Sequence, residues 1–414
     1  MTIATTDFLI IGGGVIGFNL ALTAKQRHPD SRVTLIEKEP QAGLHASGRN
    51  SGVLHAGFYY TADSLKAKFC RDGNRELSAY CDQHDIPLNR CGKLVVARNA
   101  AEVETLGELL RRGRTNGVEL QEISADEARE IEPRVKTFER ALWSPTTASV
   151  DPKRVMAALV DDAVRLGIDV RSSTAYIART PEGIRTSGGT IQAGYVINAA
   201  GLYADHIARD FGFSQNYSII PFKGLYLYSD EPPGSVRTNI YPVPDLRNPF
   251  LGVHFTINAE GRTKLGPTAI PAFWREHYKG LTNFQISEMW EIVLRELGLF
   301  LRNDFGFRRL AVEELAKYSR TRMARLASEL ATGVRASDYR HWGPPGIRAQ
   351  LYDLKARRLD MDFRFEGDQS SFHVLNAVSP AFTCAIPFAR YLFEQIDALA
   401  GGRSSPLATE TNAA

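Results

Sequence analysis

The sequence predicts an α/β protein, α+β overall, in which strands and helices alternate and one domain is built on a parallel sheet. Three observations at the start of the chain carry this prediction. An apolar run at residues 8–11 leads directly into a Gly-x-Gly-x-x-Gly pattern at 12–17, and an apolar helical pattern follows. A second strand-like run at 32–36 then ends at Glu37, 20 residues after the last glycine. This order is typical of a βαβ unit.

The glycine pattern in this context predicts a Rossmann-type site for a dinucleotide. Gly12 allows the tight turn, Gly14 lets the backbone approach a pyrophosphate, and Gly17 lets the helix pack closely on the strand. The helix N-terminus offers N–H groups and partial positive charge to the phosphates. Glu37 can accept hydrogen bonds from a ribose and repels a 2′-phosphate, which argues against NADP. A purely structural glycine turn is the alternative, and the complete pattern disfavours it.

Composition narrows the class of protein. The chain has 414 residues, 43% hydrophobic and 23% charged, which suits a soluble globular protein with two domains. The 50 basic and 47 acidic residues leave a net charge of +3, too balanced to indicate nucleic-acid binding. No apolar run approaches the ~20 residues of a spanning helix or has the form of a secretory signal. Four cysteines without zinc-like spacing predict reduced thiols and no metal. We therefore expect a cytoplasmic protein.

Helices and strands are predicted from periodicity and from cap and turn residues. Apolar stripes bounded by caps or prolines predict helices at 65–84, at 102–116 before Gly117, from the capping box at 124–127 to Pro133, at 152–166 after Asp151, and at 381–399 after the Ser379-Pro380 turn. Strand-like runs are found at 93–98, 168–172, 184–186 and 190–192 (a hairpin), 195–201, 226–228, 239–243, 250–256, near Phe363 and at 372–376. Residues 41–64 lack periodicity and are predicted to form a functional loop.

The order of these elements predicts two interleaved domains. We assign 1–90, 143–215 and 336–400 to the dinucleotide domain, and 91–142 and 216–335 to a mixed-sheet substrate domain. Residues 272–330 form a charged helical block, and 401–414 a flexible tail. The charges are distributed around these helices, so a structural lid is favoured over a membrane or partner surface, although peripheral membrane contact stays open.

The position of the later small-residue strand indicates which dinucleotide is bound. NAD domains are usually contiguous over about 150 residues. Here the strand at 196–201 comes much later, and a further proline-marked turn lies near the C-terminus. The small residues Ala199, Ala200 and Gly201 allow close backbone approach. This distribution predicts a large, deeply buried flavin.

Several motifs, in order along almost the whole chain, resemble one family. The strongest are Asn-Ser-Gly-Val-Leu-His-Ala-Gly-Phe-Tyr-Tyr at 50–60 and Pro-Phe-Leu-Gly-Val-His-Phe-Thr at 249–256. Weaker matches are found at 64–70, 221–224, 240–245, 265–267, 346–350 and 376–381. The chain resembles the L-2-hydroxyglutarate dehydrogenase/oxidase family, which belongs to the D-amino-acid-oxidase-like FAD oxidoreductases.

The resemblance implies noncovalent FAD and a set of residues that hold it. In that family the glycine turn cradles the pyrophosphate, an acid binds the adenosine ribose, and the C-terminal helix N-terminus faces the flavin N1/O2 edge. The implied cofactor-binding residues are Gly12, Gly14, Val15, Ile16, Gly17, Glu37, Lys38, Ser47, Asn50, Ser51, Gly52, Val53, Tyr176, Ala200, Gly201, Asp205, Pro380, Ala381, Phe382 and Thr383.

Oxidation of a 2-hydroxy acid needs a carboxylate anchor, a proton acceptor and a hydride acceptor. Histidine suits proton removal near neutral pH. On the residues alone, His254 is as compatible with a satisfied core histidine as with a base. The resemblance makes His254 the leading base and places His55 beside the flavin, where a structural role competes. Lys223 and Arg348 are the candidate carboxylate partners, and Tyr241 and Phe382 are the other candidate substrate contacts.

Departures from the family pattern leave the substrate open. The relatives usually read Pro-Phe-Arg-Gly-Glu-Tyr where this chain has Lys223 and Leu225, and lysine lacks the bidentate fork of arginine. Phe382 and Cys384 stand where small residues are usual. The resemblance implies oxidation of L-2-hydroxyglutarate to 2-oxoglutarate. The alternatives are another hydroxy, amino or imino acid in a biosynthetic pathway, and a flavin-binding protein without turnover. Oxygen, a quinone and a carrier protein all stay open as electron acceptors.

Overall fold

The computed structural model describes residues 4–245, 251–401 and 407–408. Within these ranges the α-helices are α1 (Val15–Arg27), α2 (Leu65–Gln83), α3 (Ala100–Thr115), α4 (Ala125–Ile131), α5 (Pro152–Arg165), α6 (Ala204–Asp210), α7 (Ile286–Arg302), α8 (Phe307–Ala316), α9 (Arg320–Ser328) and α10 (Ala381–Ala400). In this part of the chain, no helix is both long and apolar enough to cross a membrane.

The strands over the same ranges are short, apart from β1, β12, β13 and β20. They are β1 (Ala4–Ile11), β2 (Val33–Ile36), β3 (Val53–Leu54), β4 (Leu88–Asn89), β5 (Lys93–Val96), β6 (Gln121–Ser124), β7 (Arg140–Ser144), β8 (Ala148–Val150), β9 (Asp169–Arg171), β10 (Tyr176–Thr180), β11 (Gly183–Thr186), β12 (Gly189–Asn198), β13 (Tyr217–Gly224), β14 (Leu227–Tyr228), β15 (Asn239–Pro242), β16 (His254–Ile257), β17 (Thr263–Gly266), β18 (Ile270–Pro271), β19 (His341–Trp342), β20 (Gly346–Asp353), β21 (Arg358–Leu359), β22 (Arg364–Gly367), β23 (Ser371–Asn376) and β24 (Leu407–Ala408).

The chain divides into two compact units, each built from separated segments. The first unit comprises Met1–Arg49, Lys153–Ile220 and Arg348–Ala414, and the second comprises Asn50–Pro152 and Pro221–Ile347. The predicted boundaries placed 50–90, 143–152 and 336–347 in the dinucleotide domain, whereas these segments lie in the second unit. The pairing of β8 with both β3 and β4 supplies the physical reason for the first two segments, because it ties residues 50–90 to the second unit.

The first unit contains the predicted parallel sheet. Its central order is β23-β12-β1-β2-β9, all parallel, with β22 and β24 antiparallel at one edge. Ile10 pairs with Leu35 on one side and Ile197 on the other, and all three side chains are buried. Apolar strands of this kind need cover on both faces, as helices provide in α/β folds. The Rossmann-type fold predicted from the sequence is confirmed.

The second unit contains a mixed sheet of eight strands in the order β19-β14-β17-β16-β15-β5-β7-β6. Neighbouring strands are antiparallel except β15 and β5, which are parallel. A core of Leu94, Ile240, Phe255 and Leu265, each 0% exposed, lies on this sheet. The sheet therefore brings β5, β15 and β16 side by side, although residues 93 and 254 are far apart in sequence.

Most predicted elements are found within a few residues of their expected bounds. The capping box is present, with the Ser124 hydroxyl accepting from the Glu127 N–H and the Glu127 side chain accepting from the Ser124 N–H. The helical block begins later than predicted, at residue 286 rather than 272, because Gly280 and Asn283 adopt positive φ values of 49° and 53°. The predicted strand at 250–256 is observed from His254.

Two of the predicted segments fall partly outside the described residues. In the family-like motif at 249–256, residues 249 and 250 lie outside them. Of the predicted flexible tail, residues 402–406 and 409–414 lie outside them, whereas Leu407–Ala408 forms β24 and pairs with β22.

Candidate functional site

The glycine turn at the carboxyl end of β1 has no room for side chains. Gly12 has a φ of +113°, and a Cβ there would lie 2.6 Å from the carbonyl oxygen of Ala199. A Cβ on Gly17 would lie 1.9 Å from the carbonyl oxygen of Gly12. Gly14 is the N-cap of α1, which has no side-chain cap and no acidic residue in its first turn. The turn therefore presents backbone N–H groups at an open helix N-terminus, as a phosphate group requires.

Glu37 and Ser47 hold this turn in place. The Glu37 carboxylate accepts hydrogen bonds from the N–H groups of Gly13 at 2.7 Å and Glu39 at 2.9 Å. The hydroxyl of Ser47 accepts one from the N–H of Val15, the first residue of α1, at 2.9 Å. Because β1, β2 and β12 are parallel neighbours, residues 12, 37 and 199 lie at the same carboxyl edge of the sheet. This edge is where open α/β sheets bind their ligands.

The other predicted cofactor residues of the first unit lie along the same strands and helices. Ile16 is buried in the first turn of α1, Lys38 forms an ion pair with Glu39 at 2.7 Å, and the hydroxyl of Tyr176 donates to Asp210 at 2.8 Å. Ala200 and Gly201 follow β12 directly. Asp205 is fully buried and accepts from the N–H of Ile219 at 3.1 Å.

A second open helix N-terminus belongs to α10. Pro380 is its N-cap without a side-chain cap, and the first turn carries no acid. Ala381 and Thr383 are buried in that turn, and Phe382 is half-buried. The partial positive charge at a helix N-terminus would stabilise negative charge on a bound group. The flavin-edge role of these residues stays a prediction.

The loop before β3, in the second unit, is held by local hydrogen bonds. The Asn50 side chain accepts from the Gly52 N–H at 2.8 Å, and the Ser51 hydroxyl accepts from the Val53 N–H at 3.3 Å. The ammonium of Lys264, which is 5% exposed, donates to the Ser51 carbonyl at 3.0 Å. Burial lowers the pKa of Lys264 to about 8.

His254, at the start of β16, is a buried imidazole with one ring nitrogen held by the backbone. Its Nδ1 lies 2.8 Å from the carbonyl oxygen of Gly252. A carbonyl can only accept, so Nδ1 carries the proton and Nε2 keeps its lone pair. The ring is 2% exposed and stacks on Tyr241 at a centroid distance of 3.7 Å. Burial, with a smaller contribution from the charge of Lys93, lowers the pKa of His254 to about 3.

His55 belongs to the same cluster. Burial, with smaller contributions from the charge of Lys93 and from the nearby His254, lowers the pKa of His55 to about 3. The His55 carbonyl accepts a hydrogen bond from the Cys70 thiol at 3.2 Å. The structure thus brings together three of the predicted site residues, His55, Tyr241 and His254.

The candidate carboxylate partners lie on two other strands, β13 and β20. Lys223 lies on β13 and is 9% exposed, and its charge adds to the effect of burial in lowering the pKa of the half-buried His277. Arg348 lies on β20, in the first unit. Their proposed role in binding a substrate carboxylate stays a prediction.

Lys93 and Lys264 are residues of this cluster that sequence reasoning missed. Each lies on a short strand among apolar residues, as in Lys-Leu-Val-Val at 93–96. A lysine at a strand end usually points to solvent, so the position of these lysines in the sequence gave no reason to expect that they are buried. A charged residue on an otherwise apolar inner strand was the one available hint.

Comparison with known proteins decides the family. The chain matches the family model described as FAD dependent oxidoreductase over residues 7–395. The chain belongs to this family. The resemblance found in the sequence is confirmed, because this FAD-dependent oxidoreductase is 36% identical over 411 residues to the L-2-hydroxyglutarate dehydrogenase of Escherichia coli (strain K12), covering 97% of this chain and 95% of the relative. It is 38% identical over 389 residues to that of Indibacter alkaliphilus, covering 91% and 95%.

Solved structures share the fold of this FAD-dependent oxidoreductase. The dithionite-reduced, FAD-bound L-α-glycerophosphate oxidase of Mycoplasma pneumoniae superposes with a TM-score of 0.74 at 21% identity, covering 95% of each chain. The glycine oxidase of Geobacillus kaustophilus gives 0.69 at 19% identity, covering 97% of this chain and 96% of its own. At these identities the likeness establishes the fold.

The residues of this FAD-dependent oxidoreductase fit its cofactor. Side-chain-free positions at Gly12 and Gly17, the open N-terminus of α1 and the acid at Glu37 are what the pyrophosphate and ribose of FAD require. The predicted cofactor and enzyme class are confirmed by the family. Which individual residues contact FAD stays a prediction.

Proposed function

We propose that this enzyme oxidises a small 2-hydroxy acid, with L-2-hydroxyglutarate as substrate and 2-oxoglutarate as product. The observation that carries the proposal is the neutral imidazole of His254, whose Nδ1–H is held by Gly252 so that Nε2 is left as an acceptor. The name shared by the relatives supports the substrate, and their 36% identity leaves room for another.

In the proposed reaction, His254 accepts the hydroxyl proton of the substrate at Nε2. When bound, FAD, held noncovalently, supplies the acceptor for the Cα hydrogen, which leaves as a hydride with two electrons. The carbon–oxygen double bond forms as both hydrogens leave. Lys223 or Arg348 would pair with a substrate carboxylate, and His55 would orient the substrate or the flavin ring.

Another hydroxy, amino or imino acid is the second candidate, because of Lys223 and Leu225. Leu225 is 8% exposed, and its N–H donates to the Thr268 hydroxyl at 3.0 Å. A buried apolar side chain therefore occupies the position where relatives carry an acid. Lysine at 223 can make only a point contact to a carboxylate. The change at 225 removes a negative charge from the region around β13, whereas the change at 223 keeps the positive charge and loses the bidentate geometry.

Anaerobic flavin reduction distinguishes these candidates. We expect L-2-hydroxyglutarate to bleach the visible flavin band of the purified holoenzyme, and the D enantiomer to leave it unchanged. L-lactate, L-glutamate, glycine and L-proline complete the panel. Bleaching by another compound but not by L-2-hydroxyglutarate would remove the first candidate and favour the second.

A variant that restores the family residues provides the matched control. If Lys223 and Leu225 have shifted specificity, Lys223→Arg combined with Leu225→Glu should raise kcat/KM for L-2-hydroxyglutarate by roughly tenfold, the scale of one charge-assisted hydrogen bond. If they have not, the double variant should be no better than the natural chain. FAD content, measured in parallel, should be equal in both.

We further propose that the enzyme is cytoplasmic and contacts the membrane peripherally through α7. Its exposed side carries large apolar residues, with exposures of 64% for Ile286, 55% for Trp290, 60% for Leu294 and 63% for Leu301, although Ile292 and Leu299 are buried. Two of its three carboxylates are buried, since Glu288 and Glu296 are 7% and 8% exposed, whereas Glu291 is half-buried. Burial raises the pKa of Glu296 to about 8.

Two further features near α7 favour a lipid surface as the occupant. The exposed aromatic rings of Trp290, Phe300 and Tyr318 are of the kind that settle at the headgroup level. Further along the chain, α9 exposes Arg320, Arg322 and Arg325, which anionic headgroups would attract. This arrangement replaces the expectation that charges surround these helices evenly. A membrane contact would favour a quinone among the three possible electron acceptors.

Vesicle sedimentation tests the membrane contact. We expect the holoenzyme to bind vesicles of mixed neutral and anionic phospholipid, and Leu294→Glu with Leu301→Glu to weaken binding roughly tenfold or more, since each leucine loses burial in the lipid. Val164→Glu, which places a charge at another apolar side chain that is 60% exposed, should bind like the natural protein. Equal binding by the natural protein and the double variant would contradict the proposal.

A further inference from the structure

Lys93 is a buried cation at the centre of the second unit. It begins β5, where its backbone pairs with Asn239 of β15 on one side and Ser144 of β7 on the other. Its side chain is 0% exposed. Among the described residues, the ammonium finds no hydrogen-bond acceptor. A buried, unpaired ammonium is costly, so its presence calls for a function or for compensation.

Three aromatic rings surround this ammonium in place of hydrogen-bond acceptors. Its Nζ lies 4.6 Å from the ring centroid of Phe58, 4.7 Å from that of Tyr59 and 5.1 Å from that of Tyr241. All three distances are within the range of cation–π attraction. We call these three rings and Lys93 the lysine cage.

The lysine cage touches both segments that carry the site histidines. The Tyr241 ring is one wall of the cage, and its own contact is the imidazole of His254, at 3.7 Å and 23°. The other two walls, Phe58 and Tyr59, follow His55 by three and four residues in the same loop. The ammonium of Lys93 therefore contacts the loop that carries His55. It also contacts the Tyr241 ring, which stacks on the imidazole of His254.

The charge of the cage also acts on the two imidazoles. A cation disfavours a second positive charge nearby, and the Lys93 ammonium is among the groups that lower the pKa of both His55 and His254, after burial. Lys264 and Lys317 also face His254, and Cys70 faces Lys93. Lys93 is the cation common to both histidines.

We propose that Lys93 is a positioning residue for the proposed reaction, whose caged ammonium fixes the Tyr241 ring against His254 and adds to burial in disfavouring protonation of both site histidines. The role rests on the proposed function of His254 as proton acceptor. The pKa of Lys93 itself predicts a pH dependence, because burial lowers it to about 7. Its effect on the histidines should therefore be present below that pH and fade above it.

Histidine NMR on the natural holoenzyme gives the first test. With [13C-ε1]histidine labelling and assignment through His55→Gln and His254→Gln, we expect the resonances of both histidines to show a step with a midpoint near pH 7 that is not their own titration. Lys93→Met should abolish this step, and Lys93→Arg should hold both resonances in their low-pH state, because arginine stays charged. Lys355→Met, which removes one exposed charge, should leave the step intact.

The same variants then separate positioning from the chemistry itself. In Lys93→Met, the histidine titration midpoints should rise by roughly one unit, the scale of losing a nearby charge, and the acid limb of substrate-driven flavin reduction should move with them. Unchanged midpoints, or the absence of the step in the natural protein, would overturn the role of Lys93. If Lys93→Met does not fold, the presence or absence of the histidine step near pH 7 in the natural protein tests the role of Lys93. If the histidine resonances show the step near pH 7 but no substrate reduces the flavin, the proposed function is refuted. The effect of Lys93 on the two histidines would still stand.

Discussion

Gly17→Ala is expected to abolish stable FAD binding. The added Cβ would lie 1.9 Å from the carbonyl oxygen of Gly12, far inside van der Waals contact, so α1 must move from the turn by about 1 Å or more. That shift displaces the N–H groups that we expect to face the phosphates. Hydrogen bonds to charged groups contribute about 1.5–3 kcal/mol each, so the loss of two weakens FAD binding by roughly 100-fold or more.

Reconstitution of the apoprotein with FAD measures this effect through quenching of flavin fluorescence. Gly107→Ala is the matched control, since Gly107 also lies within a helix and a Cβ there meets nothing within 4 Å. We expect that variant to bind FAD normally and to be up to about 1 kcal/mol more stable, as alanine is the better helix former. Stoichiometric FAD in Gly17→Ala, with α1 intact, would show that the turn tolerates a side chain.

The elements that the sequence predicted well are those encoded by neighbouring residues. The glycine turn and the capping box at Ser124 depend on contacts within a few positions, so the pattern contains the whole interaction. The unit boundaries depend instead on pairing between distant strands. Lys93 pairs with Asn239, for example, and no local pattern in either segment indicates that contact.

The same distinction explains what was missed in the site. His254 and Tyr241 could be named because they lie in recognisable motifs, but the lysine cage is gathered from a loop and two strands. Its rings and its cation become a cluster only when the eight-stranded sheet forms. For α7, the sequence analysis found charges distributed around the helix, whereas the structure buries two of its carboxylates, Glu288 and Glu296.

His254→Asn is expected to slow substrate-driven flavin reduction by roughly 100-fold or more, the usual contribution of general-base catalysis. The asparagine amide can still donate to the Gly252 carbonyl, so the local fold is kept while the Nε2 lone pair is lost. FAD content should be unchanged. His341→Asn, which replaces an exposed histidine of β19, should reduce its flavin at the natural rate. Natural rates in His254→Asn would remove it from the mechanism, and a larger loss in His55→Asn would transfer the role to His55.

The pH dependence of this variant gives an independent check. Burial lowers the folded-state pKa of His254 to about 3, whereas an unfolded histidine titrates near 6.5. Between these values the unfolded chain binds the additional proton, so this group makes stability fall as the pH drops from about 6.5 towards 3. His254→Asn should therefore flatten the acid side of the stability curve, measured by denaturant unfolding, while its flavin reduction stays slow at every pH. A buried histidine without a catalytic role would produce the first effect alone, so the two measurements together distinguish a base from a core residue.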